Sequence, residues 1–169
     1  MSEKNTSILK GDLKRIVNLE CWSAIAGAPS GSRISFKIGA KVKRETPIQN
    51  SKLTEEERNY QGEFRLFIEC CRWRLRRKFK VICDSSDDNR EGKRMLKGLK
   101  KIVGKTIRYI RFRNGKKDLK ILFDDDYVFA TWPEPDLPKS YEKYTLFTPE
   151  RWVTVFMEGK IKVEGKEKN

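Results

Sequence analysis

Two groups of carboxylates are the side chains in this sequence best suited by type to covalent chemistry: Asp84/Asp87/Asp88 and Asp124/Asp125/Asp126. Carboxylates held close together can bind Mg²⁺ and organise phosphoryl chemistry. Aspartates at strand ends more often bond their own backbone and shape a turn, and both groups fall at predicted strand ends. No lysine-bearing nuclease signature accompanies either one. The turn role is the expectation, so no catalytic residue and no metal ligand is assigned. The chain has no histidine, which removes Ser-His and Cys-His nucleophile pairs and every His-bearing metal site. There is no Walker loop and no Gly-x-Gly-x-x-Gly turn, and the stretch Gly27 to Gly31 reads as a hairpin turn. The four cysteines, Cys21, Cys70, Cys71 and Cys83, lack Cys-x-x-Cys spacing and are expected to be reduced and mostly buried. Cys70 and Cys71, adjacent on a predicted strand, would point to opposite faces. No cofactor is expected.

Binding chemistry is better represented. The formal net charge is +14, from 38 basic against 24 acidic residues, a field that attracts polyanions or an acidic protein surface. Thirteen Lys/Arg lie between Arg90 and Lys120 against only Glu91 and Asp118, and a second tract runs from Arg72 to Lys80. The candidate binding residues are Arg72, Arg74, Arg76, Arg77, Lys93, Arg94, Lys97, Lys101, Arg108, Arg111, Arg113, Lys116 and Lys117. Arg108, Arg111 and Arg113 share a predicted strand with Tyr109 and Phe112, an interleaving that could hold phosphates and stack bases. The plainer alternative is a solvated helix face plus strand edges protected by charge. No recognised nucleic-acid module is visible.

The elements that must carry these residues are mostly strands. Alternation predicts strands over 17–26, 33–38 and 127–132, and two strands within 63–83 broken near Arg76-Arg77-Lys78. A hairpin is predicted from Thr106 to Phe123 around Asn114-Gly115, and a closing meander over 141–148, 151–157 and 160–164. Helices are predicted over 5–16 and 90–103, the latter from the stripe Met95, Leu96, Leu99, Ile102, Val103 with Gly104 as its C′ residue. Thr54 and the three glutamates after it look like a brief helix start inside the long polar connection 43–62, a length that often marks a functional loop.

An internal echo organises these elements. Leu13-Lys-Arg-Ile-Val17 returns as Leu99-Lys-Lys-Ile-Val103, each followed by a turn and an alternating strand. A second echo sets Phe64-Arg-Leu-Phe67 with Trp73 beside Tyr144-Thr-Leu-Phe147 with Trp152. A duplication follows. The expected fold is α+β, mostly antiparallel sheet, built of two similar β units (1–88 and 89–165) with two or three short helices and a frayed tail at 166–169. At 169 residues this suits one domain or two fused lobes. With no apolar run of spanning length (about 18 residues) and no apolar segment after Met1-Ser-Glu-Lys-Asn5, a cytoplasmic protein that does not enter a membrane is expected.

The second half, Leu99-x-x-Ile-Val-Gly-Lys-Thr-Ile-x-x-Ile followed by Asp118-Leu-Lys-Ile-Leu-Phe-Asp-Asp-Asp-Tyr-Val, then Tyr144-Thr-Leu-Phe-Thr-Pro with Trp152, resembles small bacterial proteins of the polymorphic-toxin immunity type. Gly31-Ser-Arg-Ile-Ser-Phe-Lys-Ile-Gly39 and Gly62-Glu-Phe-Arg-Leu-Phe in the first half look similar in kind. The resemblance implies a non-enzymatic bacterial defence protein that binds and neutralises a partner, a toxin or effector encoded beside it. It brings no active site to carry over. Inhibitors of nucleases are commonly acidic, whereas this chain is basic, so an inhibitor of this kind should meet an acidic protein surface. The alternative is a nucleic-acid-binding module using the two basic tracts.

Overall fold

The protein is described by a computed structural model covering residues 2–27, 31–113 and 115–165. Residues 28–30 of the predicted first turn, Asn114 of the predicted hairpin turn and the tail 166–169 lie outside the described residues. The elements are α1 (Ser2–Arg15), β1 (Glu20–Ile25), β2 (Ile34–Lys43), α2 (Glu55–Asn59), β3 (Tyr60–Ile68), β4 (Cys71–Arg77), β5 (Lys80–Asp84), α3 (Arg94–Leu99), β6 (Lys105–Arg113), β7 (Asp118–Phe123), β8 (Tyr127–Pro133), β9 (Glu142–Phe147), β10 (Arg151–Phe156) and β11 (Ile161–Gly165). This is the expected α+β class, mostly antiparallel sheet with three short helices. No described helix is long and apolar enough to cross a membrane.

The strands run in the order β11-β10-β9-β3-β2-β1-β6-β7-β8-β4-β5. The continuous sheet folds over itself into two layers: the Phe36 ring of β2 meets Phe129 of β8 edge-on at 5.1 Å, and Trp73 of β4 stacks on Phe129 at 5.5 Å. One layer holds β1–β3 with β9–β11, the other β4–β8. Alternation explains the layering, since Ile34, Phe36 and Ile38, Phe64, Leu66 and Ile68, and Leu119, Ile121 and Phe123 are all buried at every second position. These side chains belong to one contiguous core.

The sequence halves 1–88 and 89–165 do not make one sheet each. After β3 the chain crosses at Glu69–Cys70 to place β4 beside β8, and after β8 it crosses back to place β9 beside β3. The strand order therefore reads as a pseudo-twofold about the β1·β6 pair. The first echo sits on it: Leu13 and Leu99 differ by 86 positions. With that offset Asn18 N–H bonds Ile107 O (2.7 Å) and Gly104 N–H bonds Cys21 O (2.8 Å), the same contact made in each direction. Asn18 (φ 67) and Gly104 (φ 82) share the left-handed conformation that ends each helical segment. Both following strands carry a bulge, between Cys21/Ser23 and between Ile107/Tyr109.

The second echo is corrected. Phe64–Phe67 lies on β3 and Tyr144–Phe147 on β9, which are hydrogen-bonded neighbours (Leu66↔Leu146), not twofold mates. By register Trp73, opposite Thr131, corresponds to Tyr144, opposite Ile68; both are fully buried, whereas Trp152 is 41% exposed. Element boundaries change too, β2 running on to Lys43 and β3 starting at Tyr60. The 63–83 stretch holds three strands, with an extra break at the crossover that puts Cys70 outside a strand. The 90–103 helix shortens to Arg94–Leu99 plus a 3-10 turn Lys100–Ile102, because Gly92 (φ 73) and the Asp88–Arg90 pair make a turn where the first helical residues would stand.

The layers are tied by a buried ion pair. The Lys143 ammonium at the start of β9 is fully buried and donates to Asp118 Oδ1 at 2.7 Å and to Lys116 O, both at the β6–β7 hairpin. Tyr144 Oη donates to Lys117 O at 2.9 Å. The Cα of Gly159 lies against the same hairpin, so close that a Cβ would come within 2.1 Å of Gly115 O. Removing Lys143 takes the ammonium away from the buried Asp118 carboxylate, and breaking a buried pair in this way is strongly destabilising. Lys143→Met is expected to cost about 3–5 kcal/mol in urea unfolding, and adding Asp118→Asn should return part of that loss.

Candidate interaction surface

The outer face of the β4–β8 layer carries the densest group of candidate residues. Residues directly opposite one another share a face, so the register reads rows straight off the sheet. One row runs Arg111, Lys120, Ala130, Arg74, Asp84, and the next runs Tyr109, Leu122, Val128, Arg76, Val81. Arg72 stands opposite Trp132 in a third row. The buried residues Trp73, Leu75, Phe129 and Ile121 alternate with these and face inward, so the outer positions face solvent. Arginines on this face lie over aromatic rings: Arg74 over Trp132 (5.5 Å) and Arg111 over Tyr109 (5.8 Å).

The β4–β5 hairpin extends this face. Its tip is Lys78-Phe79, with Lys78 at φ 52, and Phe79 is wholly exposed. Arg76, Arg77, Lys78 and Lys80 flank it along the chain. Two of the flanking arginines differ in freedom. Arg77 lies 5.3 Å over Tyr127 and donates to Asp125 O at 3.0 Å, whereas Arg76 has no partner among the described residues. Phe79 was missed in the sequence because a single apolar residue amid cations carries no periodicity, and only the strand–turn–strand geometry puts it at a tip.

The structure brings together Arg72, Arg74, Arg76 and Arg111 on this face and separates the other candidates from them, including Arg77, which shares the alternation of Trp73 and Leu75 and turns to Tyr127 and Asp125 O. Arg72 is held by Glu134 (2.9 Å) and Arg74 by Asp84 (3.8 Å). Arg108, at the bulge, pairs with Asp124. Arg113, Lys116 and Lys117 lie at the far end of the β6–β7 hairpin, where Lys117 bonds Gly115 O. Lys93, Arg94, Lys97 and Lys101 belong to the α3 segment. Gly98 of α3 packs on Cys83, whose partner Leu75 faces the core, so α3 covers the inner side of β5, away from the arginine face. Arg94 has a structural task, donating to Ile82 O (3.1 Å) and Val81 O (3.4 Å) on the edge strand and pairing with Asp87 (3.3 Å).

No protein-family model, curated protein or solved structure matches the chain. The surface has to be read from its own chemistry.

The carboxylate groups are engaged locally. Asp84 Oδ1 accepts from Ser86 N and Oγ, and Asp87 Oδ2 accepts from Asp84 N at 2.8 Å. Arg90 grips Asp88, and hydrogen bonding to Arg90 lowers that carboxyl to about 2. Asp124 accepts from Thr106 N (3.0 Å) and Arg108, and Asp125 from Lys105. Among the described residues no group of three His, Cys, Asp or Glu could hold a metal ion. All four cysteines are free thiols. Burial raises Cys21 and Cys83 to about 12 and Cys71 further still, so these three are poor thiolates.

One carboxyl is shifted the other way. Glu69, at the crossover beside Glu142 and Thr145, is raised from 4.5 to about 7 by desolvation and by its bond to Glu142. A carboxyl that binds its proton more tightly when folded contributes stability that is fully present below 4.5 and lost as pH rises through about 7. Glu150 and Asp88, held near 2 by Arg15 and Arg90, reach their full stabilising effect only above their ordinary values of 4.5 and 3.8, so the Glu69 effect is read at higher pH. Thermal unfolding between about pH 5.5 and 8 should show the wild type losing stability, and Glu69→Gln should flatten that decline.

Proposed function

We propose that this protein is a non-catalytic binding protein that docks an acidic protein surface through the outer face of the β4–β8 layer, with Phe79 as its anchor. The observation that carries this reading is Phe79, an exposed aromatic ring at a hairpin tip flanked along the chain by four cations. Exposing an aromatic ring costs solvation free energy that the folded monomer does not recover. Aromatic and arginine side chains are also the residues that dominate protein–protein hot spots. Behind the tip, the row Tyr109, Leu122, Val128 gives apolar contact area and the row Arg111, Lys120, Arg74 gives charge. That combination suits a desolvated centre inside a charged rim. Arg76, Arg111 and Lys120 have no carboxylate partner among the described residues, so a partner can supply one.

Nucleic acid is the weaker reading, because tracking a strand needs several free ring faces and Phe79 is a single one, at the tip. Trp132 is only partly exposed and already lies under Arg74, and Tyr109 lies near Arg111. The toxin-immunity resemblance agrees with a protein partner.

The test is coexpression with the product of the neighbouring reading frame, followed by size-exclusion chromatography and kinetics on the purified complex. A stable complex is expected. Phe79→Ala should weaken it at least about tenfold, mainly through faster dissociation. Arg76→Glu with Arg111→Glu should slow association and flatten its salt dependence. Nucleic acid co-purifying in place of a protein, or a complex indifferent to Phe79→Ala, would overturn the reading.

A further inference from the structure

The opposite outer face holds a second, unlike site. One cross-strand row of the β1–β3/β9–β11 layer reads Lys37, Arg65, Phe147, Trp152, each residue directly opposite the next. The Arg65 guanidinium lies 3.9 Å from the Phe147 ring centroid, and Phe147 meets Trp152 edge-on at 5.5 Å. Arg44, just past the end of β2, joins Lys37 and Arg65 in lining a cleft of about 360 Å³. Val42 and Trp152, each about two-fifths exposed, supply apolar lining.

The electrostatics of this cleft are unbalanced. Its lining has three cations and a single carboxylate, Glu63, and that carboxylate already accepts from Ala40 N at 3.3 Å. Lys37 Nζ is turned to Glu57 O (2.8 Å) and Tyr60 O (3.1 Å). Desolvation, with Arg44 and Arg65 adding to it, lowers this ammonium to about 8. The Arg65 guanidinium is lowered by the same two causes, burial first and Arg44 second. Arg44 Nε is buried without a hydrogen-bond partner. Like charges crowded in a partly desolvated cleft are unfavourable, and an oxyanion placed between the two guanidiniums would relieve that repulsion through charge-assisted hydrogen bonds.

We propose that this cleft binds a phosphate monoester carried on a flat aromatic body, a ligand of mononucleotide kind, with the phosphate at Arg44 and Arg65 and the aromatic part against Trp152. The volume is within the usual range of small-ligand sites. The site shares no residue with the arginine face, so its test is independent of the proposed docking.

The experiment is calorimetric titration of the intact protein with adenosine 5′-monophosphate, ribose 5-phosphate, adenosine and inorganic phosphate. Saturable binding of the nucleotide is expected, at least tenfold tighter than any of the three fragments. Arg44→Gln should weaken it at least tenfold, while the melting temperature without ligand stays level or rises, since a repelling charge is removed. A purely structural Arg44 would lower that temperature instead. Trp152→Leu should bring the nucleotide down to the affinity of ribose 5-phosphate. No saturable heat up to millimolar nucleotide, equal affinity for inorganic phosphate, or an unaffected Arg44→Gln would each overturn the proposal.

Discussion

The fold depends on the short join between β1 and β6. Only Glu20↔Thr106 and Cys21↔Lys105 pair there, and the flanking bonds Asn18 N–H to Ile107 O and Gly104 N–H to Cys21 O complete it. This join is the axis about which the halves are related, and it makes the two layers one continuous sheet. Because β4 and β9 have exchanged layers, neither half can bury its own inner face. β3 without β9, or β8 without β4, would leave an open edge of unpaired N–H and C=O groups beside exposed apolar side chains. Folding has to close contacts that are distant in sequence, which is slow for such topologies, and the buried Lys143–Asp118 pair ties the β6–β7 hairpin to β9 once they are closed.

Local signals in the sequence disclosed the elements but not their exchange. Helix-ending Gly104, the alternating runs of β2 and β7 and the capped start at Thr54 all express short-range physics: a left-handed residue, a period of two, a side chain bonding a backbone amide. At Thr54 the full capping box forms with Glu57. The duplication was legible for the same reason, through Leu13–Val17 and Leu99–Val103. What composition could not show was where each strand lands. The second echo misled because neighbours in a sheet share one environment, so β3 and β9 came to look alike without being twofold mates. The crossover at Glu69–Cys70 left no turn signal, since Ile68-Glu-Cys-Cys-Arg72 carries no Gly, Pro, Asn or Asp.

The candidate surface was legible as charge and not as shape. A basic tract in sequence became several distinct things in space. Arg94 serves the β5 edge, Arg108 steadies the bulge beside Asp124, and the α3 lysines face away from the arginine strand. Strand alternation sorted the remainder, sending Arg72, Arg74 and Arg76 to one face while Trp73 and Leu75 filled the core. Lys37, Arg44 and Arg65 lie far apart among ordinary polar residues, so no window of sequence marks them as a group.

The twofold also relates the two outer faces. Counting outward from the bulges, Ser23, Lys37, Arg65, Phe147 and Trp152 on one layer occupy the register positions of Tyr109, Leu122, Val128, Arg76 and Val81 on the other. The same row has thus taken complementary chemistry: cations beside the join and aromatics outboard in one copy, apolar residues beside the join and a cation outboard in the other. The connections above the rows differ in kind as well. Between β2 and β3 the chain makes the long excursion that holds α2, whose Glu57 carboxylate accepts from Ser23 Oγ at 2.7 Å. Between β7 and β8 there is only the turn Asp124–Asp126. A row sheltered by a long excursion becomes a cleft of small-molecule size, and the same row left open becomes a flat face of macromolecular size. One duplicated framework can therefore present two different surfaces while both copies draw on a single core.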